Sequence, residues 1–373
     1  MSSCRGCLLF YLWKSKISII RQPRFYGYFF VHLLQYSDTP NIIQEVSSMN
    51  FIISGYGTGI QPTIKHYQDQ RVIWTSCIPN PSFLCDTEHF LFAVGEFDDH
   101  CTITSFSKDK PGCPQIDTVT LEGTCLCHLS SHPQQHFLAG SCWGNGLFFT
   151  ISYNADGTFG DILYREYQSD GTGRTSRVHC ALILSDWIYA VNIELDLILC
   201  YHLEKGIPVP YSSLSLPSGT GPRHIYANTR DRLFYCVTEY SSQLLTINYS
   251  SPKEMKLLSV QSLLDPSFGG ISYGSSLAVT ADLKHLYAAN RGENTIAHFL
   301  LDTNGMPVFS DRTSCLGNWP RHITLLDHDQ CLAIANQKSG EVVFLSRDCH
   351  TGILGQEAFL TIPLEGASFV GEV

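Results

Sequence analysis

The feature that most constrains this 373-residue chain is a phrase that returns at a nearly fixed interval. An apolar, strand-like run ends at one landmark residue, a short polar turn follows, and a second strand-like run begins. The run 90–95 ends at Glu96, 137–141 at Cys142, 188–192 at Ile193, 233–238 at Glu239, 286–290 at Arg291 and 332–336 at Gln337. Successive landmarks are 46, 51, 46, 52 and 46 residues apart. The second runs are 102–106, 147–151, 197–201, 244–247, 295–299 and 342–345, and several enter a glycine turn at Asp156-Gly157, Asn304-Gly305 or Thr351-Gly352.

A period of about 48 residues with three or four short strands per unit predicts blades arranged around an axis. One four-stranded sheet cannot bury both of its faces, and stacking against two neighbours removes the problem. Six units fall between residues 80 and 350. The run 51–67 adds strands before the first and 359–370 adds strands after the last, so the two chain ends are expected to complete one further blade together. The expectation is an all-β, seven-bladed β-propeller with blades of about four antiparallel strands. Helical periodicity of useful length is absent, which argues against a doubly wound α/β fold. A WD40 propeller is disfavoured because no Gly-His…Trp-Asp pair recurs. A kelch propeller is disfavoured because Gly269-Gly270 is the lone Gly-Gly pair.

Composition narrows the function. Hydrophobic residues make up 44% of the chain and charged residues only 16%, and the net charge is −10. With no Lys/Arg run in the repeat region, nucleic-acid binding is disfavoured. Most of the fifteen cysteines lie inside apolar runs, as Cys200, Cys236 and Cys331 do, and read as small buried hydrophobes. Cys4/Cys7 and Cys125/Cys127 have mismatched spacings and make a weak zinc signal. No metal and no organic cofactor is expected, and free thiols in a reducing compartment are the default.

Residues 1–48 differ from the rest. The first 37 contain Arg5, Lys14, Lys16, Arg21 and Arg24 and no acid. The apolar run 7–13 is too short to span a membrane. The segment reads as a mitochondrial-type presequence, a membrane-associated leader, or an extension outside the mature protein. The last is favoured, because Met49 is followed at once by a strand. The division is therefore a leader over 1–48 and a propeller over 49–373, cytoplasmic unless the presequence is real. Nothing in the sequence sets the oligomeric state.

Several motifs are more specific. Gly221-Pro-Arg-His, Asn80-Pro-Ser-Phe, Leu286-Tyr-Ala-Ala-Asn-Arg-Gly, and Trp319-Pro-Arg-His followed by Ala335-Asn-Gln-Lys-Ser resemble the seven-bladed lactonase family. That family includes cycloisomerase-like 6-phosphogluconolactonases and carboxy-cis,cis-muconate cyclases. The resemblance spans roughly residues 51 to 360 and is strongest from Thr220 to Thr351. It departs at Arg177-Val-His-Cys, where the family often carries Pro-His-Ala-His, and at Ser141-Cys142, where it often carries Asn-Tyr.

The resemblance implies a site built from His179, Arg223, Glu239 and Arg291, with a small-molecule lactone as partner. The chemistry is coherent. Lactone hydrolysis needs a base, here Glu239 or His179, and donors for the developing oxyanion. Arg223 and Arg291 can hold a phosphate or carboxylate bidentately. Arg321 and Gln337 are secondary candidates for substrate contact. The lead activity is hydrolysis of 6-phosphogluconolactone; a muconate-type cyclase and a non-catalytic binding propeller are the alternatives. The same residues also have plain structural readings: Glu239 and Arg291 as an inter-blade ion pair, Arg223 as a loop brace, and His179 as a core histidine. His224 and His322 follow Arg in two blades and are expected to be structural. Glu96 shares the register of Glu239 but lies several blades away, so it too is expected to be structural.

Overall fold

A computed structural model describes residues 49–373; the leader expectation and the Cys4/Cys7 pair lie outside the described residues. Every regular element described is a strand: twenty-eight of them form seven four-stranded antiparallel sheets. Among the described residues no helix is long and apolar enough to cross a membrane. The chain is a seven-bladed β-propeller, as the repeat predicts.

Blade 1 is composite. Its inner strand is Ala367–Glu372 from the C-terminal end, and its other three are Asn50–Gly55, Ile64–Gln68 and Arg71–Ser76. The closing register pairs Ile53 with Val370 and Ile52 with Gly371. One detail departs from expectation. Leu354–Pro363 is the outer strand of blade 7, and only Ala367–Glu372 crosses to the first blade. Its alternating exposure marks an edge strand, whereas Ala367–Val370 is a continuous buried run suited to the axis.

Blades 2 to 7 are continuous in sequence. Their inner strands are Leu84–Asp86, Leu126–Ser131, Val178–Leu184, Pro222–Asn228, Tyr273–Val279 and Pro320–Leu326. All the sequence landmarks lie at or just past the end of a second strand. Because neighbouring strands are antiparallel, the start of each inner strand and the end of each second strand meet at one face of the disc.

The core is not a single mass. Buried side chains form seven clusters, one in each gap between neighbouring blades. Cys180, Cys200 and Cys236 pack with Tyr189 and Phe234 between blades 4 and 5, where a small apolar side chain is needed. All cysteines among the described residues are free thiols.

The glycine turns at the outer hairpins lock one blade to the next. The hydroxyl of Tyr235 in blade 5 donates to the Gly305 carbonyl of blade 6 at 2.6 Å. The hydroxyl of Tyr287 in blade 6 donates to the Gly352 carbonyl of blade 7 at 2.5 Å and accepts from Arg347 Nε at 2.7 Å. Gly352 has φ of 76°, and a Cβ there would lie 2.3 Å from His285 Nδ1. Gly352→Ala is therefore expected to destabilise the fold by about 2 kcal/mol or more, adding a steric clash to the cost of a left-handed residue. Tyr287→Phe should cost about 1–2 kcal/mol, since it strands a buried carbonyl. Urea unfolding of both variants checks this; no loss in Gly352→Ala would show that the turn is not a lock.

Candidate active site

The inner strands carry a device that alternation alone does not supply. In blades 3, 4, 5 and 7 the pairing of inner and second strands skips one residue near the strand start. The skipped residues are Cys127, His179, Arg223 and Arg321. Each is the extra residue of a β-bulge, which turns a side chain away from the regular pleat. All four line one cavity of about 130 Å³ at the axis, together with Glu96, Trp143, Glu239 and Arg291. Six of the seven blades thus contribute.

The centre of the site is an ion triad across blades 5 and 6. Glu239 Oε2 accepts from Arg223 Nε at 2.8 Å and lies 3.0 Å from Arg291 Nη2. Arg223 Nη1 donates to the Ser275 carbonyl at 2.5 Å, and Arg291 Nη2 donates to the Gly274 carbonyl at 3.0 Å. Gly274 makes the approach possible: a Cβ there would sit 2.2 Å from the Thr238 carbonyl oxygen, one residue before Glu239. Arg223 and Arg291 are buried, at 4% and 6% exposure. Burial, reinforced by the Arg291 charge, brings the Arg223 guanidinium down to about 9, so it remains a cation at neutral pH. Burial alone would raise the Glu239 carboxyl. The Arg291 and Arg223 charges outweigh it and hold the group below its ordinary range.

A second carboxylate–guanidinium unit completes the wall. Glu96 Oε2 accepts from Arg321 Nη2 at 3.2 Å and from the Tyr56 hydroxyl at 2.6 Å. Glu96 therefore lines the same cavity as Glu239, despite its distance from it along the repeat. Blades far apart in sequence meet at the axis of a ring. Its register, shared with Glu239, is the signal that could have found it. Gln337 departs in the other direction. It lies away from the cavity, in a groove between blades 7 and 1 lined by Tyr56, Lys65 and Lys338.

His179 is buried and lines the cavity, but its Nδ1 has no hydrogen-bond partner. Burial, then the charges of Arg223 and Arg321, push its basicity well below that of a free imidazole, so the ring is neutral. Close to it, the buried His128 and the partly buried His224 and His322 form a polar layer, with His322 stacked on Phe369 at 4.6 Å. His224 and His322 thus occupy the packed positions expected of them.

At this layer, residue types that can ligate metals come close together. Potential ligand atoms of His128, Cys180 and His224 lie within 4.8 Å of one another. The backbone amide of Leu277, however, donates to His224 Nδ1 at 3.2 Å. That fixes the ring proton on Nε2, leaving neither nitrogen a free lone pair. Burial also holds the Cys180 thiol protonated, pushed up to about 12. Cys180 Sγ is instead hydrogen-bonded to His128 Nε2 at 3.4 Å. Their donor set does not suit a cation.

The cavity wall therefore carries three guanidiniums, two carboxylates and a neutral imidazole, a formal surplus of one positive charge. This arrangement can hold an anion and polarise a carbonyl oxygen. The family model described as "Lactonase, 7-bladed beta-propeller" matches residues 64–369. A Bacillus subtilis protein named 6-phosphogluconolactonase is 26% identical over 288 residues, covering 74% of this chain and 82% of that relative. An uncharacterised Staphylococcus saprophyticus protein is 27% identical over 284 residues, covering 71% and 80%. A solved Pseudomonas aeruginosa periplasmic gluconolactonase superposes with a TM-score of 0.81 at 21% identity, covering 88% of this chain and 99% of that one, which attests the fold. The matching repeat, the closed ring and the match over residues 64–369 establish that this chain belongs to the lactonase family of seven-bladed β-propellers.

Proposed function

We propose that the protein hydrolyses a phosphorylated or carboxylated sugar lactone, with 6-phosphogluconolactone as the lead substrate. The observation that carries this reading is the surplus of guanidinium over carboxylate on a buried wall. Such a site attracts an anion and strengthens every hydrogen bond to it, because the surroundings are poorly polarisable. The name of the Bacillus subtilis relative supports the choice of lactone. Free thiols throughout the blades fit a reducing, cytoplasmic setting.

In this reading Glu239 keeps two guanidiniums side by side at one edge of the cavity. Arg223 and Arg291 hold the phosphate or carboxylate of the substrate. Arg291 is steadied by two adjacent aromatic rings, 5.5 Å from the Trp319 centroid and 5.9 Å from that of Tyr273. The lactone carbonyl then lies toward Arg321, whose charge stabilises the oxyanion formed when water adds. His179 presents a neutral edge to the reacting ring. Trp143, with Arg177 stacked 3.7 Å above it, supplies a flat apolar surface for the sugar.

The first test is direct. The full chain should open 6-phosphogluconolactone faster than the spontaneous reaction, followed by acid release. Arg291→Ala should raise KM by roughly 30-fold, the worth of about 2 kcal/mol for a charge-assisted contact. Wild-type protein with no gain on this or on a carboxylated lactone would leave a binding propeller as the better reading.

The second test is the pH profile. Protonation of His179 is opposed by burial and by Arg223, Arg321, His128 and Arg291 around it. A depressed imidazole stays neutral as pH falls through 6.5, the ordinary histidine value. The kcat/KM profile is expected to show no acid limb between pH 6 and 7. A limb centred near 6.5 would show that His179 titrates normally and that its surroundings are not those described.

A further inference from the structure

Three groups on the cavity wall could take a proton from the attacking water, and their surroundings separate them. His179 would become an imidazolium beside Arg223, Arg291 and Arg321, and its buried Nδ1 has no acceptor to share the new charge. Glu239 is bracketed by two guanidiniums, so neutralising it would leave both without their counter-ion. Glu96 faces one guanidinium, that of Arg321, and a phenol. Both of these contact Oε2, and among the described residues no protein group hydrogen-bonds Oε1. Protonation at Oε1 leaves the Tyr56 hydroxyl bond in place and keeps the carboxyl oriented.

We propose that Glu96 is the general base and acid of the reaction, with Tyr56 and Arg321 as its positioning residues. The inference rests on the lactonase reading and says which group moves the proton. Water oxygen bonds to the lactone carbonyl carbon while Glu96 Oε1 takes one of its protons. The tetrahedral intermediate then collapses, and the bond between that carbon and the ring oxygen breaks. The departing ring oxygen receives the proton back from Glu96. The product is the open hydroxy acid, whose carboxyl ionises to solvent, and Glu96 is again a carboxylate. The work is divided around the ring: blades 5 and 6 hold the anion through Arg223, Arg291 and Glu239, and blades 7, 1 and 2 run the proton transfer through Arg321, Tyr56 and Glu96.

Tyr56 adds a geometric reason. Its backbone amide donates to the Gly366 carbonyl at 3.0 Å in the turn before the closing strand. Its ring lies 5.2 Å from the Arg321 guanidinium carbon. Tyr56 therefore has little freedom, and a fixed donor at 2.6 Å fixes the carboxylate it holds. Burial raises the Tyr56 phenol above its ordinary value, so it stays a donor across the physiological range.

The test compares Glu96→Gln, Tyr56→Phe and wild type in the full chain, with 6-phosphogluconate binding measured by calorimetry beside turnover of the lactone. Glu96→Gln is expected to lose 100-fold or more in kcat while product binding changes less than threefold, as loss of a general base predicts. Tyr56→Phe should lower kcat about tenfold at unchanged KM, a split between the two constants that a purely structural hydroxyl would not give. If Glu96→Gln does not fold, Glu96→Asp withdraws the carboxylate by one methylene and carries the same expectation. An active wild type with Glu96→Gln above half its kcat would overturn this assignment and leave the lactonase reading standing. A wild type inactive on every lactone would overturn both.

Discussion

Everything in this protein depends on closing a ring of sheets that cannot stand alone. Each four-stranded blade has two apolar faces, and each face is buried only by the next blade. The ring closes where Ala367–Glu372 pairs with Asn50–Gly55, so the two ends of the described chain are joined by backbone hydrogen bonds. The tyrosine-to-glycine-turn bonds at Tyr235 and Tyr287 repeat that coupling on a smaller scale. With seven interfaces in series, loss of one exposes two apolar faces.

Closure also creates the site. Inner strands of all blades converge on the axis, and their starts share a face with the ends of the second strands. Charged residues at those positions are brought together whatever their separation in the chain. Arg321 and Glu96 are 225 residues apart and hydrogen-bonded. Burying five charged groups in one small cavity is costly, and the structure offsets that cost by pairing each carboxylate with guanidinium and by donating spare guanidinium hydrogens to backbone carbonyls. Three cations remain set against two anions, an imbalance that an anionic substrate would relieve.

Much of the fold was legible in the chain. The spacing of Glu96, Cys142, Ile193, Glu239, Arg291 and Gln337 marks the second-strand ends because a strand's apolar run and its terminating turn are local properties. The glycine turns at Gly305 and Gly352 were visible for the same reason, but their function as locks was not, since the tyrosines they meet are 70 and 65 residues away. Around the site, the proximity of Arg223, Glu239 and Arg291 followed from adjacent blades in shared register. The place of Glu96 at the cavity was not legible because distance along a repeat is not distance around a ring, and that of Gln337 in another groove because neighbouring blades can turn their landmarks into different hollows.

By itself, the sequence determined the strand content, the seven-fold period and the end-to-end closure, because these follow from hydrophobic runs and turn residues read a few positions at a time. The tertiary structure alone decided which side chains reach the axis. The bulges at Cys127, His179, Arg223 and Arg321 depend on pairing between strands, and a one-residue skip there changes where a side chain points without leaving a mark in the local pattern. The ionic partners of Glu239 and Glu96 are set in the same way, by convergence of blades on a common axis.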